Sequence, residues 1–428
     1  LARRPQKEEA ENIRELIDRY VPHLLAFVLE GIDEDQVTIP PRLIVPTTDL
    51  NMVKQMCTML HTVLGQKTGG PNNATASTAA AADPKYLESI FIFACLWGFG
   101  ALIQTAADRE RFDRFLKQLT GWPKQDTGAD FSRAISAGSL PERPTLYDYY
   151  FDVTEGKWKH WKDRVKPFSM TKPKDGKFSS ILISTVDTER GKWLLERIVL
   201  NRTPVLLVGD SGTAKTVTIQ SYLRDLRDRP KLENSEEVQL DELLLELNFS
   251  NRTTSFDAQR SLEDNLEKRT NVVLGPPAKK RLIVFVDDVN MPKVDTYGTQ
   301  QPIAFLKLLM EHEGWYDRKD LLFKRIKDTQ FLAAMAPPGG GRNALDPRFM
   351  SLFTVFSVPF PSLESQKTIF DQIIEDKYSY FSDEIRAITP KLTVATLALY
   401  QFVVDSLPAT PTKFHYIFNL RDLSRVFE

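Results

Sequence analysis

The residues able to do chemistry gather in two places. The first is Gly209-Asp210-Ser211-Gly212-Thr213-Ala214-Lys215-Thr216-Val217, and the second is Asp287-Asp288. An ammonium beside a hydroxyl, behind a glycine-bearing loop, suits a polyphosphate. Backbone N–H groups and a helix N-terminus cradle the oxygens, Lys215 neutralises the outer phosphates, and Thr216 ligates Mg²⁺. Asp287, closing an apolar run, suits a water-mediated hold on the same Mg²⁺. Ala214 stands where the pattern G-x-x-x-x-G-K-[ST] has its second glycine. Alanine accepts helical dihedrals and resists a positive φ, so Ala214 is expected to belong to the helix already. Asp288 carries two readings of equal weight: it polarises the attacking water, or it caps the Val289-Asn290-Met291-Pro292 turn. A glutamate usually does the first job. One methylene less draws the carboxylate back by roughly an ångström, a misplacement that costs about 100-fold.

These groups need a rigid frame. Val205-Leu206-Leu207-Val208 reads as a buried strand, and Val217 to Leu223 as the helix after the loop. From Ile181 onward, strands alternate with helices, the pattern of a parallel α/β sheet. Further strands are expected at Leu243–Phe249, Leu282–Val286, Phe331–Met335 and Phe353–Val358. Helices are expected at Thr188–Leu200, from Thr254 or Ser255 to Arg269, and at Gln301–Glu311. Two loop or lid arginines could reach phosphate: Arg348 in Asp346-Pro347-Arg348-Phe349, preceded by Gly339-Gly340-Gly341-Arg342-Asn343, and Arg421 in a C-terminal helix. By pattern alone each is more often a surface or ion-paired arginine.

The chain has 428 residues, too many for one core, so two or three domains are expected. Lys+Arg of 56 against Asp+Glu of 57 provides no global field to recruit nucleic acid or anionic membrane. Cys57 and Cys95 lie among apolar residues without CxxC spacing and read as reduced core side chains. No apolar run long enough to span a bilayer is expected. The chain begins Leu1-Ala2-Arg3-Arg4-Pro5 and ends inside a helical pattern, so a cut from a longer, soluble protein of a reducing compartment is expected.

Residues 1–130 read as a helical bundle, with helices near 7–30, from Asp49 to Leu64, from Leu87 to Ile103 and from Arg109 to Leu119. The Gly/Asn/Ala-rich stretch from Gly69 reads as a surface loop. Residues 131–175 form an aromatic connector, in which Tyr147 to Phe151, Trp158 and Trp161 alternate with lysines. Base stacking is one reading; a β-hairpin packed at a domain boundary is the better one. Residues 176–360 are the α/β domain, and residues 361–428 return to helices.

The motifs together resemble one family. Val205 to Thr216, Asn248-Phe-Ser-Asn-Arg-Thr-Thr, Val286-Asp-Asp-Val-Asn-Met-Pro, Tyr297-Gly-Thr-Gln-Gln-Pro-Ile, the run Gly339 to Phe349 and His415 to Phe427 resemble the third AAA+ module of a dynein heavy chain, axonemal rather than cytoplasmic. Residues before it, including Ile44-Val-Pro-Thr-Thr-Asp-Leu, resemble the small domain of the second module. The implied fold is an AAA+ P-loop module: a parallel five-stranded sheet with flanking helices, preceded by an α-helical lid and followed by the start of another. The resemblance implies ATP or ADP and Mg²⁺ as cofactors, Lys215 and Thr216 as Walker A, and Asp287 and Asp288 as Walker B. It makes Arg421 the sensor arginine of the lid and Arg348 a finger toward the preceding module's nucleotide. Its implied partners are neighbouring AAA+ modules, microtubules through a stalk outside this chain, and dynein intermediate and light chains, with no nucleic acid and no membrane. Its implied setting is the cytoskeleton of a cilium or flagellum, in an ATP-driven minus-end-directed motor. Ala214, Asp288 and the apolar Met335-Ala336, where an asparagine often stands, imply slow hydrolysis, or ADP retained, at a regulatory site. A non-hydrolysing structural module and a free-standing AAA+ remodeller are the competing readings.

Overall fold

The computed structural model describes residues 7–33, 36–37, 39–65, 84–121, 140–141, 144–165, 183–227, 241–378, 381–408, 410, 412–413, 416 and 418–427. The loop expected from Gly69 and much of the connector lie outside these residues. The chain divides into two compact units. One comprises Leu1–Asp163 with Arg197–Val205 and Phe353–Ser357; the other comprises Arg164–Glu196, Leu206–Leu352 and Val358–Glu428.

The first unit is built on the helices Lys7–Leu25, Asp49–Gly65, Pro84–Phe99 and Ala106–Leu119. Every residue from Tyr86 to Phe99 is buried, because this helix has no polar face to offer water. Its one carboxylate, Glu88, accepts a 2.5 Å hydrogen bond from the Tyr20 hydroxyl. Burial holds the Glu88 carboxyl above its ordinary range, against the pull of Tyr20 and Arg19. Two short strands, β1 (Ile32–Asp33) and β2 (Gln36–Val37), pair antiparallel. The aromatic run forms the expected hairpin, β3 (Tyr149–Asp152) with β4 (Lys157–His160), in which Phe151 faces Trp158. Cys95 is buried as expected, but Cys57 is exposed. It sits on the outward side of an amphipathic helix, so its apolar neighbours in sequence are not its neighbours in space.

The remaining strands are β5 (Val205–Val208), β6 (Asp241–Asn248), β7 (Glu267–Thr270), β8 (Val273–Gly275), β9 (Lys280–Asp287), β10 (Gly314–Tyr316), β11 (Phe323–Ile326), β12 (Thr329–Met335) and β13 (Thr354–Ser357). Five form a sheet in the order β13-β5-β12-β9-β6. Both β6 and β12 run parallel to β9, with Asn248 opposite Asp287 and Ala333 opposite Val286. Helical crossovers impose this parallel arrangement and cover the sheet, which is why β5 is buried along its whole length. At the first unit's β13, the buried Gln55 amide does the work of a missing strand. Its Nε2 donates to Val355 O at 2.9 Å, and its Oε1 accepts from Val355 N at 3.0 Å.

A second sheet, in the order β10-β11-β8-β7, was not foreseen. All four residues of β7 are exposed, so no apolar alternation marks it in the sequence. After β13 come the helices Leu363–Lys377, Asp383–Ser406 and Leu420–Phe427, joined around buried Phe370, Leu397 and Leu423. The expectation of no membrane-length apolar stretch needs correction. Pro84–Leu102 and Asp383–Ser406 are both long and apolar enough to cross a bilayer by composition alone, the first 94% and the second 17% buried within the protein.

Candidate functional site

The phosphate loop and the Asp287-Asp288 pair lie in the second unit, at the C-terminal ends of β5 and β9. Gly209 follows β5 and donates its N–H to Met335 O at the end of β12, at 3.2 Å. A Cβ at Gly209 would come within 2.3 Å of Val358 O, so only glycine fits that turn. Gly212 adopts φ +86°, and a Cβ there would lie 3.3 Å from Leu420 N and 3.5 Å from Asn419 Cβ. The phosphate loop and the last lid helix therefore touch. Ala214 corrects the sequence reading. Its φ is +61°, and the helix Lys215–Arg227 begins one residue later. Its carbonyl accepts from Thr218 N at 2.8 Å, so Ala214 is the cap of this helix, in a left-handed conformation that costs an alanine about 1–2 kcal/mol.

Lys215 is buried within the loop, its Nζ donating to Gly209 O at 2.8 Å, Asp210 O at 2.7 Å and Thr213 Oγ1 at 3.3 Å. Burial lowers its pKa to about 8, although Asp287, Asp210 and Asp288 all favour the charged form; Arg342 works with burial. The next residue turns the other way. Thr216 Oγ1 donates to Asp287 Oδ2 at 2.8 Å. Burial, followed by the Asp288 charge, raises the Asp287 carboxyl above its ordinary value, and the Thr216 bond opposes them. The site thus presses its own lysine and aspartate toward neutrality, the strain expected of charges set to meet a polyanion and a cation. Asp210 is exposed, Ser211 and Val217 half-buried, and Thr213 buried.

Asp288 has φ +50°, a conformation that bends the chain sharply after β9. Its N–H donates to Asp287 Oδ1 at 3.0 Å, which braces that carboxylate. The turn it opens is pinned from within. Asn290 is fully buried, its Nδ2 donating to Ala336 O at 2.9 Å, while Asn343 N donates to Asn290 O at 3.1 Å. Asn343 Nδ2 and Gln300 Nε2 both donate to Pro292 O. Nothing in the local pattern singles out Asn290 or Asn343, since a turn asparagine is unremarkable until its partners are known.

Among the described residues, neither the Arg348 nor the Arg421 side chain is hydrogen-bonded to this cluster. Arg348 is exposed on a one-turn helix, Pro347–Met350, rather than in an open loop, and its N–H caps onto Asp346. Arg421 is exposed in the first turn of the helix Leu420–Phe427, two residues from the Asn419 that touches the phosphate loop. Asn419 Oδ1 accepts from Arg421 N at 2.8 Å, and Asp422 Oδ2 accepts from Asn419 N at 3.2 Å, a reciprocal cap.

Among the described residues no cluster of three His, Cys, Asp or Glu could cage a metal. One carboxylate and one hydroxyl, Asp287 and Thr216, suit an ion that keeps its waters and takes its other ligands from phosphate, the habit of Mg²⁺.

Three family models match the chain in succession. Residues 13–163 match a dynein heavy chain AAA lid domain, residues 170–361 a P-loop containing dynein motor region, and residues 392–428 an AAA+ lid domain. The chain belongs to the dynein heavy-chain family. It is 44% identical over 431 residues to the dynein-1-alpha heavy chain, flagellar inner arm I1 complex, of Chlamydomonas reinhardtii. It is 46% identical over 425 residues to dynein axonemal heavy chain 10 of Homo sapiens, and 33% identical over 428 residues to dynein axonemal heavy chain 2 of Mus musculus. These alignments take in 99%, 99% and 100% of this chain and 9% of each relative. The dynein chain described here is therefore a stretch of the axonemal type, spanning about a tenth of its curated relatives' length. Its α/β sheet and P-loop are of the kind found in ATPase modules.

Proposed function

We propose that the loop Gly209 to Val217 binds ATP or ADP with Mg²⁺, as a regulatory nucleotide site within a larger motor. The observation that carries this reading is the Thr216–Asp287 hydrogen bond beside the buried Lys215. It brings the hydroxyl and the carboxylate that Mg²⁺ needs to one point at the foot of a phosphate loop. Lys215 would meet the outer phosphates in place of its backbone carbonyl partners, and Thr216 and Asp287 would hold the metal. Bound Mg²⁺ would neutralise charge between the outer phosphates. Asp288 is the group available to orient a water, and Arg421 and Arg348 are offered to the nucleotides of this and the preceding module. Residues 1–130 are read as the lid of that preceding module, 131–175 as the connector, 176–360 as the large domain and 361–428 as the following lid.

A specific observation favours slow turnover. The Ala336 side chain brings no polar group to the end of β12, and its carbonyl is engaged by Asn290. The similarity to axonemal and flagellar dynein heavy chains supports a ciliary or flagellar setting. Membership of the dynein heavy-chain family supports a place in an ATP-driven motor; minus-end direction, microtubules, neighbouring AAA+ modules, and intermediate and light chains belong to the same proposal.

The test is nucleotide stoichiometry and single-turnover hydrolysis on the full heavy chain. Lys215→Ala is expected to remove one bound nucleotide per chain. Asp288→Asn is expected to leave that nucleotide in place and slow phosphate release from this site. Unchanged stoichiometry in Lys215→Ala would end the nucleotide reading; unchanged release in Asp288→Asn would leave a site that binds without hydrolysing.

A further inference from the structure

The hairpin loop after β12 carries an arginine that the assignments above do not use. Gly339, Gly340 and Gly341 have φ of +128°, +57° and +87°, and the loop closes on itself through Gly339 N to Arg342 O at 3.0 Å and Arg342 N to Gly339 O at 3.1 Å. A side chain added at any of these glycines would meet nothing within 4 Å, so packing does not demand them; the left-handed backbone does. The residue after the arginine fastens the loop. Asn343 bonds to Asn290 O at 3.1 Å and to Pro292 O at 2.9 Å, and Asn290 in turn holds Ala336 O. Arg342 is thus tethered, through one residue, to the turn that follows Asp287 and Asp288.

The guanidinium is in an unusual state. Its Nε is buried with no hydrogen-bond partner, and among the described residues Arg342 forms no ion pair. Its loop leaves the end of β12, where Gly209 N of the phosphate loop donates to Met335 O at 3.2 Å, and is fastened to the turn beyond Asp287 and Asp288. A guanidinium with a desolvated donor and no carboxylate partner is costly unless an anion meets it. The Asp287 carboxylate is already engaged by Thr216 and by Asp288 N.

We propose that Arg342 is a phosphate-binding residue of this chain's own nucleotide site, supplied in cis, and that it favours a nucleoside triphosphate over a diphosphate. This inference rests on the nucleotide reading above. A planar guanidinium can take two oxygens of a terminal phosphate at once, and a cation in this role acts most on the group carrying the most charge. The Asn290–Asn343 clasp positions it, so that the loop and the Walker B turn move together. The three glycines supply the left-handed backbone on which this loop closes.

The experiment measures binding of fluorescent ADP and of a non-hydrolysable fluorescent ATP analogue, each with Mg²⁺, to the full heavy chain. The share of this site is taken as the binding lost in Lys215→Ala. Arg342→Ala is expected to weaken the triphosphate at this site by about tenfold or more and the diphosphate by less than about threefold, with Arg342→Lys recovering part of the loss. Arg342→Gln, which keeps most of the side chain's bulk, should behave like the alanine variant if charge is the cause. Equal losses for both nucleotides, or no loss, would overturn the proposal. A Lys215→Ala chain that binds as much nucleotide as wild type would overturn the nucleotide reading itself and this inference with it.

Discussion

Thr216 and Asp287 meet across 2.8 Å although they sit on different elements, one in the first turn of a helix and the other at the end of β9. The parallel sheet makes this possible. With β5, β12 and β9 side by side, the loop leaving β5 and the carboxylate ending β9 open on the same edge, where α/β sheets bind their ligands.

Removing that hydroxyl isosterically tests its worth. Thr216→Val is expected to destabilise the nucleotide-free chain by about 1–2 kcal/mol, since a hydrogen bond to a carboxylate is lost. It should also abolish most of the Mg²⁺ dependence of nucleotide binding at this site. Denaturant midpoints and binding titrations with and without Mg²⁺ report the two effects. Full Mg²⁺ dependence in the variant would show that Thr216 is not a ligand.

Ala214 offers a gain. A glycine at φ +61° carries no Cβ penalty, so Ala214→Gly relieves local strain while loosening the unfolded chain. The net expected effect is a stabilisation of up to about 1 kcal/mol. A fall in the denaturant midpoint would contradict the left-handed cap.

Gln55 should be intolerant of change. Gln55→Leu fills the space but leaves both Val355 N and Val355 O unpaired in a buried setting, at a cost of about 2–4 kcal/mol. Hydrogen exchange at Val355 N, protected in the wild type, should accelerate in the variant. An unaltered exchange rate would mean the amide bond does not persist in solution.

The β3–β4 hairpin should respond to acid. Burial opposes ionisation of Asp152, but hydrogen bonds from Lys159, Thr154 and Glu155 outweigh it and bring the carboxyl down to about 2. The folded state therefore releases this proton more readily than the unfolded one. Its stabilisation is complete above the unfolded value of about 3.9 and is lost as pH falls through about 2. Discounted for solvent screening of a partly exposed side chain, the amount is about 1 kcal/mol. Comparing the acid limb of stability in wild type and Asp152→Asn reads it; parallel curves between about pH 4 and pH 2 would rule out the contribution.

Some features were determined by the sequence alone, because they rest on local pattern. A run of Val and Leu before a glycine-bearing loop, Lys-Thr and a helical period can be read without coordinates. So can apolar Leu282 to Val286 running into Asp287, and a helix starting near Thr254, although that helix ends at Glu263 and Glu267–Thr270 is a strand where helix was expected to Arg269. Other features depended on partners distant in the chain, and only the tertiary structure decided them. The sheet β10-β11-β8-β7 brings together short strands that lack alternation, so their pairing exists only once the fold is made. The φ of Ala214, the exposure of Cys57 and the burial of Asn290 follow from neighbours that sequence spacing does not name. The same holds for Arg342. In the sequence it is one arginine after three glycines; in the fold, Asn343 and Asn290 tie its loop to the turn beyond Asp287. Periodicity registers which side of an element faces inward, whereas long-range hydrogen bonds and charge proximity arise only when the strands are laid side by side.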